Sequence, residues 1–316
     1  MTTSHQNSVE TEIEVPSLIQ PLVTVVITSY NYERYVGETI ESVLKQTYPR
    51  VEVIVVDDGS TDRSAEVIGK FGTKVTLIRQ KNAGCAAARN VGIRHACGDL
   101  IAFCDSDDRW VSHKLERQIP QFQKDPCVGL VHSGSRCFDA KDGRTLYECW
   151  PRENTDFHEM LEWCHFGLSS AVFSRQALDR VGIFDETLCG TDDWDLGIRI
   201  AFHYRVVGVR ELLLEYRMHE SNATLKADSI LKNSLRLVNK PRELHAHCGL
   251  CIRARRLAAR HVRRGYYGVA VGRAREAMAK GMLAESLKWR ARSLWNYPWA
   301  MKEIVRRRVF RIPTAS

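Results

Sequence analysis

The stretch DLIAFCDSDDRW, Asp99 to Trp110, decides how this chain is read. Its apolar part, LIAF, is a short strand with no polar face, and such strands belong in a sheet covered on both sides. Its polar part puts three carboxylates, Asp105, Asp107 and Asp108, within four residues. Carboxylates that close repel and raise one another's pKa unless a cation sits between them. A buried strand that ends in crowded negative charge therefore asks for a ligand.

Outward from this stretch the pattern repeats. LVTVVIT (Leu22 to Thr28), VEVIVVD (Val51 to Asp57) and KVTLIR (Lys74 to Arg79) are further strands. Between them lie helical patterns: TIESVLKQ (Thr39 to Gln46), a segment capped by Ser60, Thr61 or Asp62 and running to Gly69, and GCAAARNVGIRHA (Gly84 to Ala96). The alternation predicts an α/β fold, with a Rossmann-like, mostly parallel sheet and helices on both faces. Ligands of such sheets bind beyond the carboxyl ends of the strands. TSYN (Thr28 to Asn31), DDGS (Asp57 to Ser60) and DSDD (Asp105 to Asp108) should thus share one rim. Farther on, CVGLVHSGSRCF (Cys127 to Phe138) is a strand and CGTDDWDLGIRIAF (Cys189 to Phe202) a helix with acids at its positive end. ELLLEYRMHESNAT (Glu211 to Thr224) is a strand followed by a polar turn. From Leu225 two or three helices are expected, with breaks near Gly265 and Gly281. The resulting division is a flexible tail (1–20), an α/β domain (21–223) and a basic helical region (224–316).

The 316 residues, 44% hydrophobic and 27% charged, suit a globular protein. No apolar run approaches the roughly 18 residues that span a bilayer. The first 20 residues lack the apolar core of a signal peptide. Ten irregularly spaced cysteines do not form a disulfide framework. Cys97, Cys104 and Cys137 lie in apolar runs and read as core residues in a reducing compartment, so a cytoplasmic location is expected.

The net charge of +8 conceals an asymmetry. From Thr224 onward there are 22 Lys+Arg against 5 Asp+Glu; the rest carries 24 against 33. The basic region interleaves arginines with Trp289, Trp295, Tyr297 and Trp299 and ends VRRRVFRIP. Anionic headgroups at the inner face of the plasma membrane are one partner for such helices, an acidic or lipid-linked glycan a second, and a solvated helical cap is the plain reading. The acidic first part and the lack of a nucleic-acid module argue against nucleic acid.

The acidic cluster admits three readings. Asp108 or Ser112 could cap the helix containing HKLERQIPQF, which explains one acid. A calcium loop would need more ligands and a glycine turn. A divalent ion held by one or two carboxylates and completed by phosphates accounts for the whole cluster. HAHCGLC (His245 to Cys251) offers four metal ligands in seven residues, but its cysteine pair lacks a partner at finger spacing, so zinc is not expected there.

ITSYNYERYVGETIESVLKQTYPRVEVIVVDDGSTDRS, NAGCAAARNVGIRHACGDLIAFCDSDD and GTDDWDL, in this order, resemble glycosyltransferase family 2 over about Pro21 to Ala223. The resemblance implies a GT-A fold and inverting hexosyl or hexosaminyl transfer from a nucleoside diphosphate sugar, a UDP- or dTDP-sugar, to a glycan or lipid-linked acceptor in cell-surface polysaccharide synthesis. Thr28 and Tyr30 would line the nucleoside pocket. Asp58 would accept from the base with Asp57 in support, the alternative being an Asx-turn with Gly59. Arg89 would face the nucleotide, the alternative being a surface ion pair. Asp105 and Asp107 form the Asp-X-Asp motif that holds Mn2+ or Mg2+ against the diphosphate. Asp107 is the favoured ligand, Asp105 lies toward the ribose and Asp108 is the rival.

GTDDWDL matches the family's acidic pair, with Asp192 where Glu is usual. Asp193 takes the position of the general base, the alternative being a helix cap. Trp194 is either acceptor wall or core, and Asp195 a solvated or structural acid. His219 is a candidate extra metal ligand. Two other classes compete: a nucleotidyltransferase, for which no glycine-rich phosphate loop with a lysine is present, and a non-catalytic nucleotide-sugar binder or helical scaffold.

Overall fold

The computed structural model describes residues 20–220, 222, 227–240 and 248–296. The expected N-terminal tail through residue 19, His245 and His247, the side chain of Trp295, Tyr297, Trp299 and the basic C-terminal stretch lie outside them. In chain order the first elements are β1 (Val23–Ser29), α1 (Val36–Leu44), β2 (Val51–Asp57), α2 (Ser64–Gly69), β3 (Thr76–Arg79), α3 (Cys85–His95) and β4 (Leu100–Asp105). Next come β5 (Arg109–Trp110), α4 (Lys114–Lys124), β6 (Val128–Asp139), β7 (Thr145–Cys149), β8 (Asn154–Thr155), α5 (Phe157–Glu162), β9 (Val172–Ser174) and α6 (Arg175–Val181). The chain continues through α7 (Asp192–His203), β10 (Arg205–Met218), α8 (Ala227–Asn239), α9 (Gly249–Ala279) and α10 (Leu283–Asn296).

One sheet runs in the order β3-β2-β1-β4-β9-β6-β10-β5, with β7 added to β6 and β8 to β10. Its first half, β3 to β4, is parallel. Beyond β4 it becomes mixed: β9 is antiparallel to both neighbours, whereas β6 and β10 are parallel to each other. The apolar runs follow from two-sided burial. In β1, Val25 and Ile27 join the cluster that covers one face, and Val26 joins the cluster on the other. Alternate side chains of a strand point to opposite faces, so a strand buried on both carries no polar period. Helix α3 lies directly on β1: a Cβ on Gly92 would come within 2.3 Å of Val26 Cγ1.

Two expectations need correction. Cys104 and Cys137 are buried, but Cys97 is exposed, because it occupies the turn between α3 and β4 and not a strand. None of the ten cysteines forms a disulfide. Gly265 does not break the helical region. Helix α9 runs unbroken through it, because the stripe Cys251, Ala254, Ala258, Val262, Tyr266, Ala270 and Ala274 packs into the same core as Phe173 and Trp194. Gly281, at φ 73°, does sit at the break before α10. The stretch between Cys137 and Phe166 contains β7, β8 and α5.

Candidate functional site

Strand register brings the polar termini together. Thr28 pairs with Asp105, and Ser29 pairs with Asp57. The Ser106 hydroxyl donates to the Thr28 carbonyl at 2.6 Å, which fastens the ends of β1 and β4 to each other. TSYN, DDGS and DSDD therefore do lie on one rim, as the topology of a parallel sheet requires.

Each residue expected at this rim has a defined place. Tyr30, 45% exposed, stands open beyond β1, and Thr28 is half-buried behind it. Asp57 is buried and serves the turn: it accepts from Ser60 N–H at 3.2 Å and from Arg79 Nε at 3.2 Å. That is the Asx-turn reading, extended by an ion pair. Asp58 accepts from the Ala83 and Gly84 N–H groups at 2.8 and 2.9 Å and from Gln80 Nε2 at 2.6 Å. It thereby anchors the loop that starts α3, and keeps one of a carboxylate's four lone-pair positions.

Arg89 is not a surface residue. It is 8% exposed and bridges two acids, donating to Asp192 Oδ2 at 2.7 Å and to Asp105 Oδ1 at 2.9 Å. This fork ties the Asp-X-Asp motif to the start of α7, with Arg89 itself 103 residues from Asp192. Such planar, two-pronged pairing is what a guanidinium does better than an ammonium.

The three clustered acids have different surroundings. Helix α4 has no side-chain cap, so neither Asp108 nor Ser112 serves it. The Asp105 side chain is 37% exposed and that of Asp107 9%. Asp108 is fully buried; one of its oxygens accepts from Arg217 N–H at 3.2 Å and the other has no hydrogen-bond partner. Burial first, then repulsion by Asp107 and Asp105, holds its carboxyl well above the usual range.

His219 Nε2 lies 2.9 Å from Asp107 Oδ2, and Asn222 Nδ2 reaches the same oxygen at 3.4 Å. The Tyr32 hydroxyl also hydrogen-bonds Asp107, and its pKa is held above the normal tyrosine value by burial and then by Asp107 and Asp105. Asp107 and His219 thus place a carboxylate oxygen and a ring nitrogen side by side, donor types that fit manganese or magnesium and suit manganese better because of the imidazole.

Several residues of this site were not singled out from the sequence. Arg217 donates from Nε to the Asp107 carbonyl at 2.8 Å, pairs with Glu38, and lies over the rings of Tyr35 and Phe138. Its signal in sequence is absent, because it comes from the end of β10, 110 residues away. The antiparallel contact of β5 with β10 at Leu214 and Glu215 is what delivers Arg217, His219 and Asn222 to the motif.

On the opposite side, Asp192, Asp193 and Asp195 occupy the first turn of α7. Asp192, 1% exposed, accepts from Gly190 N–H and Arg89. Asp195 is structural and fully buried, paired with Arg199 at 2.8 Å and Lys240 at 3.1 Å. Trp194 is core, and its Nε1 donates to the Met160 carbonyl at 2.7 Å. Asp193 is half-buried; one oxygen accepts from Trp194 N–H at 2.7 Å. Burial, then the neighbouring Asp192, pushes its carboxyl up to about 7, against the pull of Arg89. A carboxylate with that pKa is matched to proton transfer near neutral pH.

A sequence profile described as Glycosyl transferase family 2 matches residues 24–182. An uncharacterized glycosyltransferase of Nostoc sp. is 34% identical over 224 residues, 66% of this chain and 68% of that protein. Another from Rickettsia typhi is 32% identical over 216 residues, 65% of this chain and 66% of that one. Among solved structures, S. aureus TarS 1-349 in complex with UDP-GlcNAc superposes with a TM-score of 0.61 at 16% identity, over 87% of this chain and 89% of that one. The mannosyltransferase PcManGT from Pyrobaculum calidifontis, in complex with GDP-Man and Mn2+, does so with a TM-score of 0.55 at 20% identity, over 89% of each chain. These likenesses show the same GT-A fold. With the acidic rim, the bridging arginine and the α7 acids in place, the chain belongs to glycosyl transferase family 2 and is a glycosyltransferase.

Proposed function

We propose that this glycosyltransferase is inverting and metal-dependent, and that it moves a sugar from a UDP- or dTDP-sugar to a hydroxyl acceptor with Asp193 as general base. The observation that carries the reading is the Arg89 bridge. It holds the acids suited to a donor diphosphate and the acids at the start of α7 in one cleft. The nucleotide sugars bound by TarS and PcManGT support the donor class.

In this reading Tyr30 packs on the base, Thr28 lines the pocket, and the remaining acceptor position of Asp58 takes a base N–H. Asp107 and His219 hold Mn2+ or Mg2+, with Asp105 beside them toward the ribose. Asp108 is left out as a ligand, since it is fully buried and turned to the Arg217 N–H. When bound, the ion offsets the negative charge that grows on the leaving diphosphate. Arg89 keeps Asp105 and Asp192 in position. Asp193 takes the proton of the acceptor hydroxyl as that oxygen attacks the sugar carbon from the face opposite the diphosphate.

The acceptor side is an open cleft of about 820 Å³ between α5 and α9, lined by Arg152, Trp163, His165, His261 and Arg264 among others. Trp163, 45% exposed, lines this cleft, and its ring centroid lies 6.0 Å from that of Trp194, the residue after Asp193. An exposed indole with basic neighbours suits a sugar carrying phosphate or carboxylate, as in an acidic or lipid-linked glycan.

The test compares donor hydrolysis with manganese for wild type and Asp193→Asn. Turnover should fall by about 10²–10⁴-fold while nucleoside diphosphate still raises the melting temperature of both forms. Undiminished turnover in the variant, or no nucleoside diphosphate that stabilises the wild type with or without metal, overturns the reading.

A further inference from the structure

A second group of metal-ligand side chains lies outside the sheet rim, where α5 meets the start of α9. Cys248 and Cys251 come from the CGLC sequence that opens α9, and His158 from α5. One donor atom from each lies within 4.8 Å of the others, and His158 Nε2 is 3.7 Å from Cys248 Sγ. Zinc bonded to sulfur at about 2.3 Å and to nitrogen at about 2.0–2.1 Å, in tetrahedral geometry, spaces its ligand atoms by about 3.5–3.8 Å. The cluster is therefore at, or within about 1 Å of, the spacing that zinc imposes.

Three features favour a cation over a chance encounter. Two cysteines and one histidine make a soft, carboxylate-free set, suited to zinc and unsuited to magnesium or manganese. Cys248 is the N-cap of α9 and Cys251 lies in its first turn, where the helix dipole favours a metal-bound thiolate, against the burial that holds the metal-free Cys251 thiol up at about 11. The donors come from elements 90 residues apart and are half-buried or buried, so an ion there is sheltered.

We propose that His158, Cys248 and Cys251 bind one zinc ion that pins α9 to α5. Three protein donors leave the fourth position to a further ligand, water in the simplest case. The consequence reaches the catalytic half by contact. Helix α5 has only six residues, too few to be stable alone, and its Met160 carbonyl holds the Trp194 indole next to Asp193. An ion at this junction stiffens the wall behind the proposed base without touching substrate.

The experiment uses the full chain, expressed with added zinc and purified under reducing conditions. About one zinc per chain should survive gel filtration, and its removal by chelator should lower the melting temperature by about 5 °C or more. Replacing zinc by cobalt should give thiolate-to-cobalt charge-transfer bands together with the visible bands of a tetrahedral centre. The double variant Cys248→Ser/Cys251→Ser should lose both the zinc and these bands. Asp107→Asn should keep both, which separates this site from the metal proposed at the sheet rim. If the double variant does not fold, the wild-type cobalt spectrum decides. No thiolate-to-cobalt band in the reduced wild type, or stoichiometric zinc retained by the double variant, overturns the proposal. So does a Cys248–Cys251 disulfide whose reduction yields no metal uptake.

Discussion

At Asp193, two acids share one helix turn and one arginine. Asp192 takes the ion pair with Arg89, and Asp193 is left with burial and repulsion, which raise its pKa to about 7. The rate of transfer should then rise with pH through about 7 as Asp193 loses its proton. Asp192→Asn removes the repulsion and leaves the burial. Its kcat/KM profile should show the acid limb displaced to lower pH by about one unit, at a reduced maximum. An unmoved limb would assign the titration to another group. The identity of these residues is visible in GTDDWDL, but their division of labour is not. It depends on which carboxylate the guanidinium reaches, and Arg89 stands 103 residues away.

At the scale of elements, α3 is the part that positions the site. Its start is tied down by Asp58, its middle carries Arg89, and Gly92 sets its height over β1. Gly92→Ala would put a methyl group within 2.3 Å of Val26 Cγ1, with no room to give in a core strand. The expected loss is about 1–3 kcal/mol of stability by urea denaturation, with lower transferase activity as Arg89 shifts. Wild-type stability and activity in that variant would mean that α3 is not seated as described. The helix itself is legible from GCAAARNVGIRHA, because its small residues signal close approach to a sheet. The elements α5, β7 and β8 are not, because each is too short to carry a period.

For the molecule as a whole, buried charge and surface charge give separate predictions. His132 is fully buried with neither ring nitrogen hydrogen-bonded, and burial, then His165, pushes its pKa down to about 4. It is neutral when folded, so its contribution is intact above pH 6.5 and is lost as pH falls toward 4. Asp193 works in the opposite direction, since its raised pKa makes the folded state gain relative stability over the same fall. The two partly cancel in the wild type, so the comparison must be made by difference. The stability of His132→Leu relative to wild type should increase by about 3 kcal/mol between pH 7 and pH 4, read from urea midpoints. A constant difference would sink the assignment.

On the surface, Met278, Met282, Leu283 and Leu287 are exposed around the α9–α10 corner of the basic region, and no helix among the described residues is long and apolar enough to cross a membrane. Peripheral contact with anionic lipid is the proposal that fits. The chain should sediment with anionic vesicles and not with neutral ones, and Met282→Glu/Leu283→Glu should weaken this by about tenfold. Equal sedimentation with both vesicle types would exclude headgroup charge as the attraction.

The local sequence by itself determined the parallel half of the sheet, the helices that cover it and the rim where the acids collect. Those follow from patterns a few residues long: strands apolar on both faces, helical spacing, and polar residues at strand ends. What only the tertiary structure decided is which groups meet. Arg89 with Asp105 and Asp192, His219 with Asp107, Arg217 with Asp107, and His158 with Cys248 are each separated by between 16 and 112 residues. The encounters at the sheet rim are set by strand order and by the antiparallel contact of β5 with β10, and that of His158 with Cys248 by the packing of α5 on α9, none of which a local period encodes. The helical region, which the charge pattern sets apart, shares its core with the sheet, because the small residues buried along α9 pack into the same cluster as Phe173 and Trp194.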